Sequence, residues 1–286
     1  MSSDSFRRTE VAGVSMPRMI VGTNWFSGFS HRSIAADNMI RSHLDTPEKI
    51  AEILEVFLEK DINAIMGLLF AQPNVSKAIN ITEQHTGKKI IVIDTPVINV
   101  DDTPEARKEA EATIKMCKQK DDATFCLIHH SSCEALVNKN KRTIERIPDY
   151  LYMIRENGMI PGLSAHMPDI IQFSDENNYD VQTYIQIYNA VGFLMQIEIE
   201  LVNKIIWNAK KPVMTIKPFA AGRTTPFVGL NFSFATLRDC DMVAVGVMSP
   251  MEAEEDIEIA SAFFENRQVK VKARGSIAKT PLHRDN

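Results

Sequence analysis

The sequence predicts a closed (β/α)8 barrel, and three observations carry the prediction. Short apolar runs alternate with segments of helical period from one end of the chain to the other. The alternation supplies eight βα repeats in about 250 residues, the usual length of a one-domain barrel. No Pro/Gly-rich linker divides the 286 residues. The competing architecture is an open, doubly wound sheet. It is disfavoured because Gly22-Thr23-Asn24-Trp25 and a long polar loop follow the first strand, where GxGxxG is expected. The domain reading is one barrel over 1–286, with 268–286 a basic, weakly patterned C-terminal tail.

The strands are predicted at 19–23, 64–69, 90–94, 124–129, 160–164, 183–188, 213–217 and 242–247. They are short and apolar on both faces, as parallel strands covered inside and out should be. Helix starts are marked between them. Thr46-Pro47-Glu48 sets a capping hydroxyl before a proline, and Ile50, Ile53, Leu54, Phe57 and Leu58 follow at helical spacing. Asp102-Thr103-Pro104-Glu105 repeats the device, and Ser249-Pro250-Met251-Glu252 reads as a capping box. Gly87 and Gly158 stand where helices should stop.

With 44% hydrophobic and 24% charged residues, the composition is that of a globular protein with core to spare. A net charge of -5 argues against nucleic acid as the main partner. The N-terminus is polar and unlike a signal peptide, and no apolar run approaches the roughly 18 residues of a membrane span. Cys117, Cys126, Cys133 and Cys240 form no CxxC or zinc spacing, which fits a cytoplasmic protein with reduced thiols. The expected partner is a small-molecule substrate, with neither nucleic acid nor membrane.

In a barrel the chemistry sits where strands run out into βα loops. Polar residues accumulate there: Thr23 and Asn24, Asp94 and Thr95, His129 and His130, Ser164 and His166, Gln186, Tyr188 and Asn189, and Lys217. A lysine desolvated in a barrel mouth has a depressed pKa, and its neutral amine forms a Schiff base with a carbonyl; it also serves as an acid or electrostatic anchor. If His129 and His130 continue a strand, they point to opposite sides and only one faces the cavity, as acid or base. Asp94, His129 and His166 are the alternative reading, a His/His/carboxylate metal site. Arg223 after strand seven, with Gly246 and the Ser249 helix start after strand eight, forms the arrangement in which such barrels hold phosphate. The loop from Trp25 to Arg32 is aromatic and glycine-containing, either a lid or simple packing on the barrel top.

These strand-end strings resemble the aldo-keto reductases. Leu127-Ile128-His129 resembles the family's fourth-strand LIH, whose His is catalytic, and Gly162-Leu163-Ser164-Ala165-His166 its GxSN motif. Gln186 falls where the family has a Gln, Lys217-Pro218-Phe219-Ala220 is similar to its SPL segment, and Gly246–Asp256 resembles its nucleotide-binding stretch. The resemblance implies the barrel and, with it, NADP. The catalytic tetrad is mostly unmatched: Met66 stands for the Asp, Ala71 for the Tyr, Asp94 or Thr95 for the Lys, and only His129 agrees. Ile216 replaces the nicotinamide-stacking aromatic, Ala165 the carboxamide Asn and Met248 a common cofactor Arg.

Losing the proton donor alone costs about 3–5 kcal/mol of barrier, so ketone reduction does not transfer. The favoured function is an enzyme of lyase or isomerase type acting on an anionic carbonyl compound, phosphorylated ones included. Lys217, His129, His130, Asp94 and His166 do the chemistry; Asn24, Ser164, Gln186, Asn189, Arg223, Gly246 and Ser249 bind substrate. No cofactor is favoured. The alternatives are a diverged NAD(P)H-dependent oxidoreductase using His129 as acid, and a non-catalytic ligand-binding barrel. The sequence does not choose the substrate or the oligomeric state.

Overall fold

A computed structural model describes residues 5–270 of the chain. It opens with an antiparallel hairpin, β1 (Arg8–Val11) and β2 (Val14–Pro17), which the sequence reading does not foresee. Its turn, Ala12-Gly13, has both φ angles positive (51° and 82°), the twist that two-residue hairpin loops require. The barrel strands follow: β3 (Met19–Gly22), β4 (Ala64–Gly67), β5 (Ile91–Asp94) and β6 (Phe125–Ile128). A small antiparallel pair, β7 (Val137–Asn138) and β8 (Thr143–Ile144), lies outside the barrel. Then come β9 (Ile160–Ala165), β10 (Thr183–Ile187), β11 (Val213–Ile216) and β12 (Met242–Val245). All eight barrel strands pair in parallel, and β12 closes on β3. The closed (β/α)8 barrel is therefore the observed architecture, and the open sheet is set aside.

The helices are α1 (Ile34–His43), α2 (Pro47–Glu59), α3 (Pro73–Thr86), α4 (Pro104–Asp121), α5 (His130–Ala135), α6 (Ile147–Glu156), α7 (Asp169–Glu176), α8 (Ile199–Asn208), α9 (Pro226–Thr236) and α10 (Pro250–Phe264). The expected caps form: Thr46 accepts from Lys49 N–H, Thr103 from Ala106 N–H and Ser249 from Glu252 N–H. Gly87 ends α3 in the left-handed conformation, and Gly158 follows α6 in the same one. Helix α1 follows the Trp25–Arg32 loop, in a stretch for which the sequence reading names no element. It buries only Ile40, so it has no apolar stripe to betray it.

The pleat divides the barrel residues into two layers. Ile20, Met66, Ile93, Phe125, Leu127, Ile185, Met214 and Met242 fill the interior, joined from below by Val11 and Met16 of the hairpin. Val21, Ile65, Val92, Ile128, Leu163, Val213 and Val245 face outward onto Ile53, Phe57, Ile114 and Ile257 of the helices. Gly162 makes room inside: a Cβ there would stand 2.4 Å from Leu127 Cγ and 2.8 Å from the Thr183 carbonyl.

The hairpin is tied to the strand starts. Arg8 donates to the Asp61 carbonyl and to Asn63, Thr9 donates to the Cys240 carbonyl, and the buried Arg18 beneath β3 donates to the carbonyls of Arg238 and Asp241. Among the described residues, no helix is long and apolar enough to cross a membrane. Of the tail, Lys270 N–H donates to Glu258; residues 271–286 lie outside the described residues.

Candidate active site

The carboxyl ends of the strands bring one amine and four imidazoles together. Strand β11 stops at Ile216, and an extended continuation would send Lys217 outward with Val213 and Thr215. Lys217 instead takes φ 63°, the left-handed region that costs a side-chain-bearing residue about 1–2 kcal/mol. The turn swings Nζ over the mouth, where it lies 2.8 Å from Nε2 of His31. Burial lowers the Lys217 pKa to about 8, and among the described residues no carboxylate opposes it. His31 itself is lowered to about 4, chiefly by burial and then by the Lys217 charge. Asn24 Nδ2 lies 3.5 Å from the same Nε2, and Phe29 packs edge-on against the His31 ring.

The pair His129-His130 corrects the sequence reading. Strand β6 ends at Ile128, so the two do not alternate across a sheet. His129 is the cap residue of α5 and His130 its first residue; both rings enter the cluster, 4.2 Å apart. His129 Nδ1 accepts from Ser131 N–H and pairs with the Ser131 hydroxyl at 2.8 Å, which leaves Nε2 as the protonated nitrogen. Burial, then His130 and Lys217, lower the His129 pKa to about 4. The His130 ring stacks on His166 at 3.7 Å, and burial leads the same causes in lowering His166 to about 3.

Two members of this group were not among the sequence candidates. His31 was seen only as part of a loop. Glu134 stands one helical turn beyond His130, with its Oε2 3.9 Å from His130 Nδ1. Its Oε1 accepts from His166 N–H at 2.6 Å and Met167 N–H at 2.9 Å. Burial raises the Glu134 carboxyl, but the neighbouring His130 and the bonds from those two amides outweigh it and hold the pKa below its usual value. The i, i+4 spacing of His130 and Glu134 was the available signal, and it is visible only once a helix is assigned there.

Asp94 does not join them. It shares the outward face of β5 with Val92, accepts from Leu69 N–H at 3.1 Å and lies beside the Cys117 thiol of α4. The proposed Asp94/His129/His166 metal set is therefore not assembled, because the carboxylate is on the wrong side of the strand. Gln186 also faces outward, with Tyr184, and donates to the His166 carbonyl, so it positions the histidine's backbone. Asn189 is occupied with its own loop, accepting from Val191 and Phe193 N–H and donating to the Phe193 carbonyl. Ser164 faces the interior, one pleat below His166. Arg223 is exposed, lies 4.0 Å over the Phe193 ring and donates to the Ala220 carbonyl.

The strand-eight end tests whether a nucleotide phosphate fits. Ser249 accepts from Glu252 N–H, while the Glu252 carboxylate accepts from Met248 N–H at 2.8 Å. The chain's own acid thus occupies the start of α10, and Trp25 covers Gly246, where a Cβ would be 3.3 Å from its Cδ1. As arranged, these residues do not fit a pyrophosphate: the Met248 and Glu252 amides are taken and the charge beside them is negative. Millimolar NADPH is expected to leave the emission of Trp25 unchanged. Saturable quenching in a fluorescence titration, lost in Trp25→Phe, would contradict this.

No protein-family model matches the sequence. No curated protein matches it either. Solved structures do share its fold. A Pseudomonas aeruginosa protein assigned to the aldo-keto reductases aligns with TM-score 0.66 at 12% identity, over 91% of this chain and 97% of its own. An aldo/keto reductase from Klebsiella pneumoniae, solved with NADP and acetate, gives 0.53 at 11%, over 95% and 92%. Orotidine 5′-monophosphate decarboxylase from Methanocaldococcus jannaschii, solved with an inhibitor, gives 0.51 at 14%, over 86% and 99%. These likenesses establish the closed (β/α)8 barrel and carry the fold alone.

Proposed function

We propose that the protein is a lyase or isomerase acting on a small anionic carbonyl compound through an imine on Lys217. The observation that carries this reading is the Lys217 amine, turned into the mouth by its left-handed backbone and resting on His31 at 2.8 Å. With a pKa of about 8, roughly a tenth of the amine is neutral at pH 7, against less than about one in a thousand at the ordinary lysine value.

In the neutral amine, one N–H donates to His31 Nε2 and the lone pair is free. It adds to the carbonyl carbon, and the amine gives up a proton as the carbinolamine forms. The carbinolamine oxygen leaves as water after taking one further proton from solvent, while the neutral His129 donates a hydrogen bond to it from Nε2–H. The resulting iminium accepts the electron pair of an adjacent C–H or C–C bond as that bond breaks. Reprotonation of the enamine and hydrolysis of the imine return Lys217 and release product. Arg223, over the Phe193 ring in the loop after β11, is the cation offered to the substrate's anionic group.

Borohydride trapping tests this. The full chain is incubated with a 2-oxoacid or a phosphorylated hydroxyketone, reduced, and read by peptide mass spectrometry. The expected result is a secondary-amine adduct at Lys217. Its rate should climb about tenfold per pH unit below pH 8 and level off above, because only the unprotonated amine attacks. Adducts confined to surface lysines, with a rate still climbing past pH 9, would remove the imine reading.

A further inference from the structure

We infer that His130, Glu134 and His166 form a binding site for one divalent transition ion of the zinc class, beside the amine and open to the barrel mouth. The site does not depend on imine chemistry at Lys217. Its ligand atoms, two imidazole nitrogens and one carboxylate oxygen, already lie within 4.8 Å of one another. Two come from one helix face, since His130 and Glu134 are separated by one turn of α5, and the third comes from the end of β9.

The carboxylate is held for such a role. Glu134 Oε1 is fixed by the amide N–H groups of His166 and Met167, so its orientation is set by the backbone of another ligand, while Oε2 faces His130. The His166 ring makes no side-chain hydrogen bond among the described residues; it stacks on the face of His130. A pair of half-buried imidazoles stacked on each other, with a carboxylate at one edge, leaves nitrogen lone pairs without donors. A cation would satisfy them. Bonds of about 2.0–2.1 Å place tetrahedral ligands about 3.3 Å apart, so closure takes a shift of about 1.5 Å at most, with the two rings turning out of their stack.

Two imidazoles and one carboxylate select zinc, cobalt or iron over magnesium and calcium, which prefer all-oxygen shells. Three protein ligands leave at least one position for water or substrate. A substrate oxygen bound there lies in the same mouth as Lys217 and His129. The ligand class is an oxygen donor, such as a hydroxyl or oxo group next to a carboxylate.

The test is cobalt titration of the full chain after chelator treatment, followed by visible absorption, with zinc then added as competitor. The expected result is one Co2+ per chain, with ligand-field bands that zinc abolishes. His130→Asn and Glu134→Gln should each weaken binding about 100-fold or more, with the far-UV spectrum unchanged. Glu134→Gln keeps an oxygen for the two amides, so it reports on the ligand even if His166→Asn fails to fold. Lys217→Met should bind cobalt as wild type does. No saturable spectrum, or one indifferent to both substitutions, would overturn the site. Trapping at Lys217 in the chelated protein is read separately, so either idea can fail alone.

Discussion

Lys217→Met is expected to form no borohydride adduct and to turn over at least about 10³ times more slowly, a loss of about 4 kcal/mol of transition-state stabilisation. Methionine retains most of the stem volume, so the barrel rim stays filled. Removing an amine that burial alone disfavours should also raise stability, the mark of a group kept for function. Lys217→Arg is the sharper experiment. If the residue only anchors an anion, a guanidinium preserves much of the rate; if its lone pair attacks, an always-protonated side chain is as inactive as methionine. His31→Asn adds a third measurement. It removes the imidazole on which Nζ rests, and the pH at which trapping levels off should move. Substantial activity in Lys217→Arg would defeat the covalent route.

Asp94→Asn is expected to stabilise the protein by about 3 kcal/mol at pH 8 and to make little difference at pH 4. Burial raises the Asp94 pKa to about 6, and Asp121 adds to the rise, while bonds from Cys117 and from the Leu69 and Thr95 amides oppose it. The folded state therefore binds this proton more tightly than the unfolded chain does. The associated stability is complete below the unfolded value of 3.8 and is lost as pH rises through about 6. Above that pH the native protein carries a buried carboxylate with one oxygen unpartnered. An amide keeps the acceptor for Leu69 and discards the charge. Urea denaturation of both proteins at pH 4, 6 and 8 should give curves that separate as pH rises. A gap independent of pH would mean that the carboxylate is not the cost.

The barrel was legible because its signals are local. Apolar runs bounded by capped helices recur at each strand, and Thr46, Thr103 and Ser249 act as their neighbours suggest. The hairpin of β1 and β2 escaped notice because four-residue strands carry little periodicity. The site was legible in residue type and not in direction. Strand β5 is apolar on both faces, so nothing in Ile91-Val92-Ile93-Asp94 tells which parity enters the barrel. One residue of strand length decided the fate of His129 and His130: stopping at Ile128 replaced an alternation with a helix start and put both rings on one side. Lys217 reaches the mouth by a backbone conformation that its sequence context does not advertise. Gln186 and Asn189 look like ligand binders in sequence because amides suit either task; here both serve backbone groups.

The hairpin below the strands has a bearing on traffic. With Val11 and Met16 corking the base and Arg8 and Thr9 fastening the cork, the doorway for a ligand of the proposed enzyme is at the carboxyl ends of the strands. The segment carrying Trp25, Phe29 and His31 flanks that doorway, so one hand rests on both arrival and departure.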